Sequence, residues 1–127
     1  MTRVLFVGLL PESVDFTDPA LPPGLSAEKI RAGIEIALAQ MAERGWKVDL
    51  CLVPPDETAG PALEEQLASG SFDCGVIGAG VRLPPKSLLL FEVLVNTVRK
   101  AAPSASIAFN TRPEDSAEAA TRWLKRE

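Results

Sequence analysis

Histidine is absent from the 127-residue chain. That removes the side chain best suited to proton exchange near neutral pH, and the commonest metal ligand. Cysteine occurs only twice, at Cys51 and Cys74. Two cysteines without histidine argue against a zinc site. Each reads as a small buried hydrophobe, Cys51 in mid-strand and Cys74 early in its strand. Sparse cysteine without a targeting segment points to a reducing, cytoplasmic setting. Met1 to Val7 runs basic and then apolar, but the apolar run is short and leads into Pro11 and Glu12. It reads as a strand rather than a signal peptide. No apolar run approaches the roughly 18 residues of a membrane span. Basic residues are scattered apart from Lys125 and Arg126, and the net charge is −4. A nucleic-acid binder is expected to carry a basic patch, so that class of partner is excluded. There is no internal repeat, linker or low-complexity tract. Hydrophobic residues make up 46% of the chain, enough for the core of one domain spanning residues 1–127.

Strand and helix signals alternate along the chain. Arg3 to Leu9 has the apolar, β-rich pattern of a strand buried on both faces. A long loop, Leu10 to Leu25, contains five of the prolines and glycines that break regular structure. Ser26 caps a helix running to about Arg44, with Ile30, Ile34, Ala37, Leu38 and Met41 on its buried face, and Gly45 stops it. Trp46 to Val53 is the second strand, closed by Pro54-Pro55. Gly60-Pro61 opens a short helix that Gly70 ends. Phe72 to Ile77 is the third strand. Pro84-Pro85 starts a helix from about Lys86 to Ala101, and Ser106 to Phe109 is the fourth strand. Thr111 and Glu114 have capping-box spacing for a last helix ending near Lys125. Its expected inner face is Ala117, Ala120, Trp123 and Leu124.

This alternation predicts an α/β fold: an open parallel sheet of about four strands, order 2-1-3-4, with helices on both faces. In the order of its elements the chain resembles flavodoxin-like and receiver-domain architectures. The chemistry of those families does not follow. A receiver domain needs an aspartate at the end of the third strand, where this chain has Gly78. A flavodoxin needs a Ser/Thr-rich phosphate loop after the first strand, where this chain has Gly8-Leu9-Leu10-Pro11-Glu12. A low-molecular-weight phosphatase, or the sugar-transport phosphotransferase B component, needs a cysteine there too. Val76 to Pro85, Leu88 to Glu92 and Phe109 to Pro113 are also similar to segments of small α/β proteins without an assigned activity. These resemblances imply a Rossmann-like fold and no cofactor.

Ligands of such sheets bind beyond the carboxyl ends of the strands, at the switch between the first and third. Four loops are expected there. Val76-Ile77-Gly78-Ala79-Gly80-Val81-Arg82 is the best local signal. Gly78 and Gly80 would let backbone amides approach an oxyanion, and Arg82 would add a clamp. A tight turn with positive φ and a solvated arginine explains the same residues. Asn110 and Arg112 are the second signal, as an amide and a further cation, or simply as part of a helix start. Glu12 is the candidate acid/base, with surface acidity as the alternative and a latch to Arg82 or Arg112 as another. Asp15, Asp18, Asp56, Glu57 and Thr58 share the same edge.

Two functions fit. One is binding or turnover of a small carboxylate or phosphate in this crevice. The other is a non-catalytic interaction module acting as a homodimer. For the latter, Leu88, Leu90, Phe91, Leu94, Val95 and Val98 cover the sheet, leaving Leu89 and Val93 as an apolar pair for a second copy.

Overall fold

Val4-Leu5-Phe6-Val7 offers branched and aromatic side chains to both faces of a pleated strand. In the computed structural model, which describes residues 1–124, this run lies within strand β1 (Arg3–Leu9) and all four residues are buried. β1 pairs in parallel with β2 (Lys47–Val53) on one side and β3 (Cys74–Ile77) on the other, and β3 pairs in parallel with β4 (Ser106–Phe109). The order is β2-β1-β3-β4, the flavodoxin-like parallel arrangement expected from the alternation. Val7 stands opposite Cys51 and Ile77, which sets the register of β2, β1 and β3.

Alternate residues supply the two faces. Leu5, Val7, Val53 and Ile77 pack with Leu63 and Leu67 of α2 (Ala59–Leu67) and with Leu94 and Val98 of α3 (Leu88–Ala101). Val4, Cys74, Val76 and Ala108 pack with Ala37 and Met41 of α1 (Ala27–Glu43) and with Ala117 and Ala120 of α4 (Ser116–Thr121). Full burial of a branched side chain contributes about 1.5–3 kcal/mol, so these two layers carry the fold. The Ser26 hydroxyl accepts from the Lys29 amide at 3.2 Å and caps α1. Gly45, at φ +82°, turns the chain out of it.

Four local expectations need correction. β3 begins at Cys74 rather than Phe72, because Phe72 is used differently: its ring lies 4.3 Å beneath the Arg3 guanidinium. α3 proper begins at Leu88 after a short 3-10 turn, Pro85–Ser87, and Leu88 is 62% exposed rather than packed on the sheet. Of the first turn of α3, Leu90 and Phe91 pack against the core while Leu88 and Leu89 face solvent. Before α4 the capping acid is Asp115, not Glu114. Its carboxylate accepts from the Thr111 amide at 3.0 Å and from the Thr111 hydroxyl. α4 ends at Thr121, so Trp123 falls out of helical phase and is 58% exposed. Lys125, the expected helix end, and Arg126 lie outside the described residues. Among the described residues no helix is long and apolar enough to cross a membrane.

Candidate functional site

β1, β3 and β4 each continue one residue past their ends before the loops depart. Leu10 donates its amide to the Val53 carbonyl (2.9 Å), Gly78 to Val7 (2.8 Å) and Asn110 to Ile77 (3.4 Å). The β1 loop then crosses this edge as a strap, Leu10 to Leu25. Two side-chain clasps hold it. Glu12 pairs with Arg31 of α1. Asp15 pairs with Lys86, whose ammonium also lies 3.7 Å from Asp18. The Arg31 hydrogen bond holds the Glu12 carboxyl below its ordinary range, and Lys86 draws Asp15 down to about 2.

The strap divides the edge into two concavities that share Leu9, Val14, Leu21 and Gly80. On the α1 side lies a cavity of about 120 Å³. Phe6, Leu25, Ile30 and Ile34 form apolar walls, and Gly78, Gly80, Asn110, Thr111 and Arg112 complete the lining. On the α2/α3 side lies a larger cleft of about 740 Å³, between the strap, the β2 loop and the start of α3. Asp15, Asp18, Asp56, Glu57 and Lys86 line it.

Asn110 is the structural centre of the smaller cavity. It is 1% exposed. Its Oδ1 accepts from the Ala79 amide at 2.8 Å and its Nδ2 donates to Ser116 Oγ at 3.0 Å. Its carbonyl accepts from Arg82 Nη2 at 2.8 Å. One buried amide thus joins the β3 loop, the β4 loop and the start of α4. A buried polar side chain that is fully used in this way fixes the relative positions of three segments.

Of the residues expected at one site, Gly78, Gly80, Asn110 and Arg112 line this cavity together. Arg82 lies behind it, holding the Asn110 carbonyl, and its Nε is buried without a hydrogen-bond partner among the described residues. Glu12 lies outside both concavities and is latched to Arg31, not to Arg82 or Arg112. The expected anion cradle is partly occupied by the protein itself, since the Gly78 and Ala79 amides already donate. Neither Gly78 nor Gly80 has positive φ; Gly24 and Gly45 do. Gly78 sits against the Val7 carbonyl, whereas a Cβ at Gly80 would meet nothing.

Sequence reasoning did not single out Lys86, Arg31 or Ser116. Lys86 follows Pro84-Pro85 immediately, so a cation placed just ahead of the helix was its available signal. Ser116 lies six residues after Asn110, within the turn that starts α4. Arg31 is one of several charged residues on the outer face of α1 and carries no distinguishing pattern. Both cysteines are buried and free, and burial pushes the Cys51 thiol up to about 11 and that of Cys74 to about 12. Among the described residues no group of three or more acidic or thiol side chains is placed to hold a metal. Comparison of the chain with protein-family models and with curated proteins gives no match.

Proposed function

We propose that this chain binds a small carboxylate or phosphate in the cavity at the carboxyl ends of β1 and β3. The observation behind this reading is the lining. Two loops bring Gly78, Gly80, Asn110 and Arg112 to one apolar cavity, and among the described residues Arg112 is its single charged one. A guanidinium presents paired donors that match carboxylate and phosphate oxygens. Arg112 is exposed, so that attraction acts at the mouth of the cavity, with the apolar walls left to the body of the ligand. A volume of 120 Å³ equals about four waters. It suits an acid of a few heavy atoms, or the acid end of a longer molecule. With Glu12 engaged by Arg31, the reading is one of binding, with Arg112 as the anchor and Asn110 as the wall that shapes the cavity.

The test is calorimetry and thermal shift with formate, acetate, butyrate and inorganic phosphate. At least one should stabilise the native chain. Arg112→Gln should weaken that ligand about 10- to 100-fold, the range for a charge-assisted hydrogen bond. The apo melting temperature should not move, because Arg112 is exposed. Silence from all four anions at millimolar concentration, or equal binding by the variant, would refute the reading.

A second reading is a non-catalytic module acting as a homodimer. It draws on Leu88 and Leu89 in the first turn of α3, which are 62% and 73% exposed.

A further inference from the structure

The larger cleft has a different chemistry from the cavity across the strap. Its volume of about 740 Å³ falls in the range of small-molecule sites, roughly 300–1,000 Å³. Its floor is apolar, with Leu9, Val14 and Leu21 from the β1 end and strap, and Leu90 and Val93 from α3. Leu89, most of its side chain in solvent, also lines it. A large exposed leucine next to a concavity offers contact area to a ligand in a way that a scattered one does not.

Charge complementarity selects the occupant. Asp15, Asp18, Asp56 and Glu57 stand against one cation, Lys86. Lys86 is already engaged by Asp15 and Asp18. Asp56 uses Oδ1 to accept from the Thr58 amide and hydroxyl. Its second oxygen and the Glu57 carboxylate make no hydrogen bond or ion pair among the described residues. An acid entering this cleft meets net repulsion. A cation with an apolar body gains attraction at the rim and burial on the floor.

We infer that the cleft binds an amphipathic amine, with its cationic head at Asp56 and Glu57 and its apolar body on Leu9, Leu90 and Val93. The two concavities share Leu9, but their charged groups differ, Asp56 and Glu57 here and Arg112 there, so either reading can fail alone.

Three matched probes test the inference by calorimetry: 4-phenylbutylamine, 4-phenylbutanol and 4-phenylbutyrate. The amine should bind about tenfold more tightly than the alcohol, the combined effect of two exposed ion pairs, and the acid should bind least. Raising the salt should narrow the gap between amine and alcohol. Asp56→Asn with Glu57→Gln should abolish the amine's advantage and leave the alcohol unchanged. Asparagine keeps the Oδ1 acceptor that Thr58 uses, so the turn is preserved. Arg112→Gln should not alter amine binding. Any of these binding results overturns the inference: no amine binding at millimolar concentration, equal affinity for amine and alcohol, tighter binding of the acid, or an amine preference that survives the double substitution. A dimer that Leu89→Glu dissociates would assign the cleft to a second copy of the chain and also overturn it.

Discussion

Asn110 shows how much one side chain decides. Removing it leaves the buried Ala79 amide without its acceptor, while Ser116 Oγ keeps its bond to the Pro113 carbonyl. An unsatisfied buried polar group costs about 1–3 kcal/mol, so Asn110→Ala should lower the unfolding free energy by an amount in that range, read in urea denaturation. Asn110→Asp keeps the acceptor for Ala79 but loses the donor to Ser116 and buries a carboxylate, so it should be at least as destabilised as the alanine variant at neutral pH. A variant as stable as wild type would show that Asn110 does not join the loops. The cysteines make the converse case. With thiol pKa values near 11 and 12, almost no thiolate is present at neutral pH, and both sulfurs are buried. Native-state labelling by a thiol reagent should therefore be slow and should accelerate on unfolding. Fast labelling of either thiol in the folded chain would contradict this. Replacing both by alanine should cost about 1 kcal/mol per site, because small buried groups are removed from the sheet.

The strap is the element whose behaviour the two clasps control. Asp15 ionises well below its ordinary 3.8 because of Lys86 first, and Thr17 second. A carboxyl with a lowered folded pKa stabilises the folded arrangement above its unfolded pKa. That contribution is lost as the pH falls through the folded value. The Asp15–Lys86 clasp should thus be intact above about pH 4 and lost on descent through about pH 2. A carbon-13 titration of the Asp15 carboxyl should give a midpoint near 2. Lys86→Met should move it up toward 3.8, leaving only the share due to Thr17. An unchanged midpoint in the variant would mean that Lys86 does not close the strap. Glu12 and Arg31 provide the second clasp, so the variant strap remains tethered to α1.

For the whole molecule, mass separates the two readings of the exposed apolar turn of α3. An open ligand cleft leaves Leu89 in solvent and predicts a 13.5 kDa monomer at micromolar concentration. A dimeric module predicts twice that mass in sedimentation, and Leu89→Glu would return it to monomer. The expected outcome of the ligand reading is the monomer. The acidic balance, with 17 carboxylates against 13 basic side chains, acts on all of this as a background field. It favours cations near the surface in general, which makes an arginine alone in an apolar cavity the more specific feature.

Hydrophobic patterning along the sequence was enough to determine the elements, their alternation and the parallel order 2-1-3-4. These depend on period, caps and breakers that act within a few residues, as with Ser26 and Gly45 around α1. The same patterning placed Gly78, Gly80, Asn110 and Arg112 near one edge, because loops that follow parallel strands share an edge. It did not determine which charges pair. Glu12 meets Arg31 because the strap turns toward α1, and Lys86 meets Asp15 across 71 residues. Nor did it show that Asn110 would be consumed by the fold, since its partners lie on the β3 loop and at the start of α4. Pairings of that kind depend on the path of an irregular loop, which no periodicity records. The division of one crevice into a cationic cavity and an acidic cleft was therefore decided by tertiary structure, where the strap's two clasps set its course over the sheet.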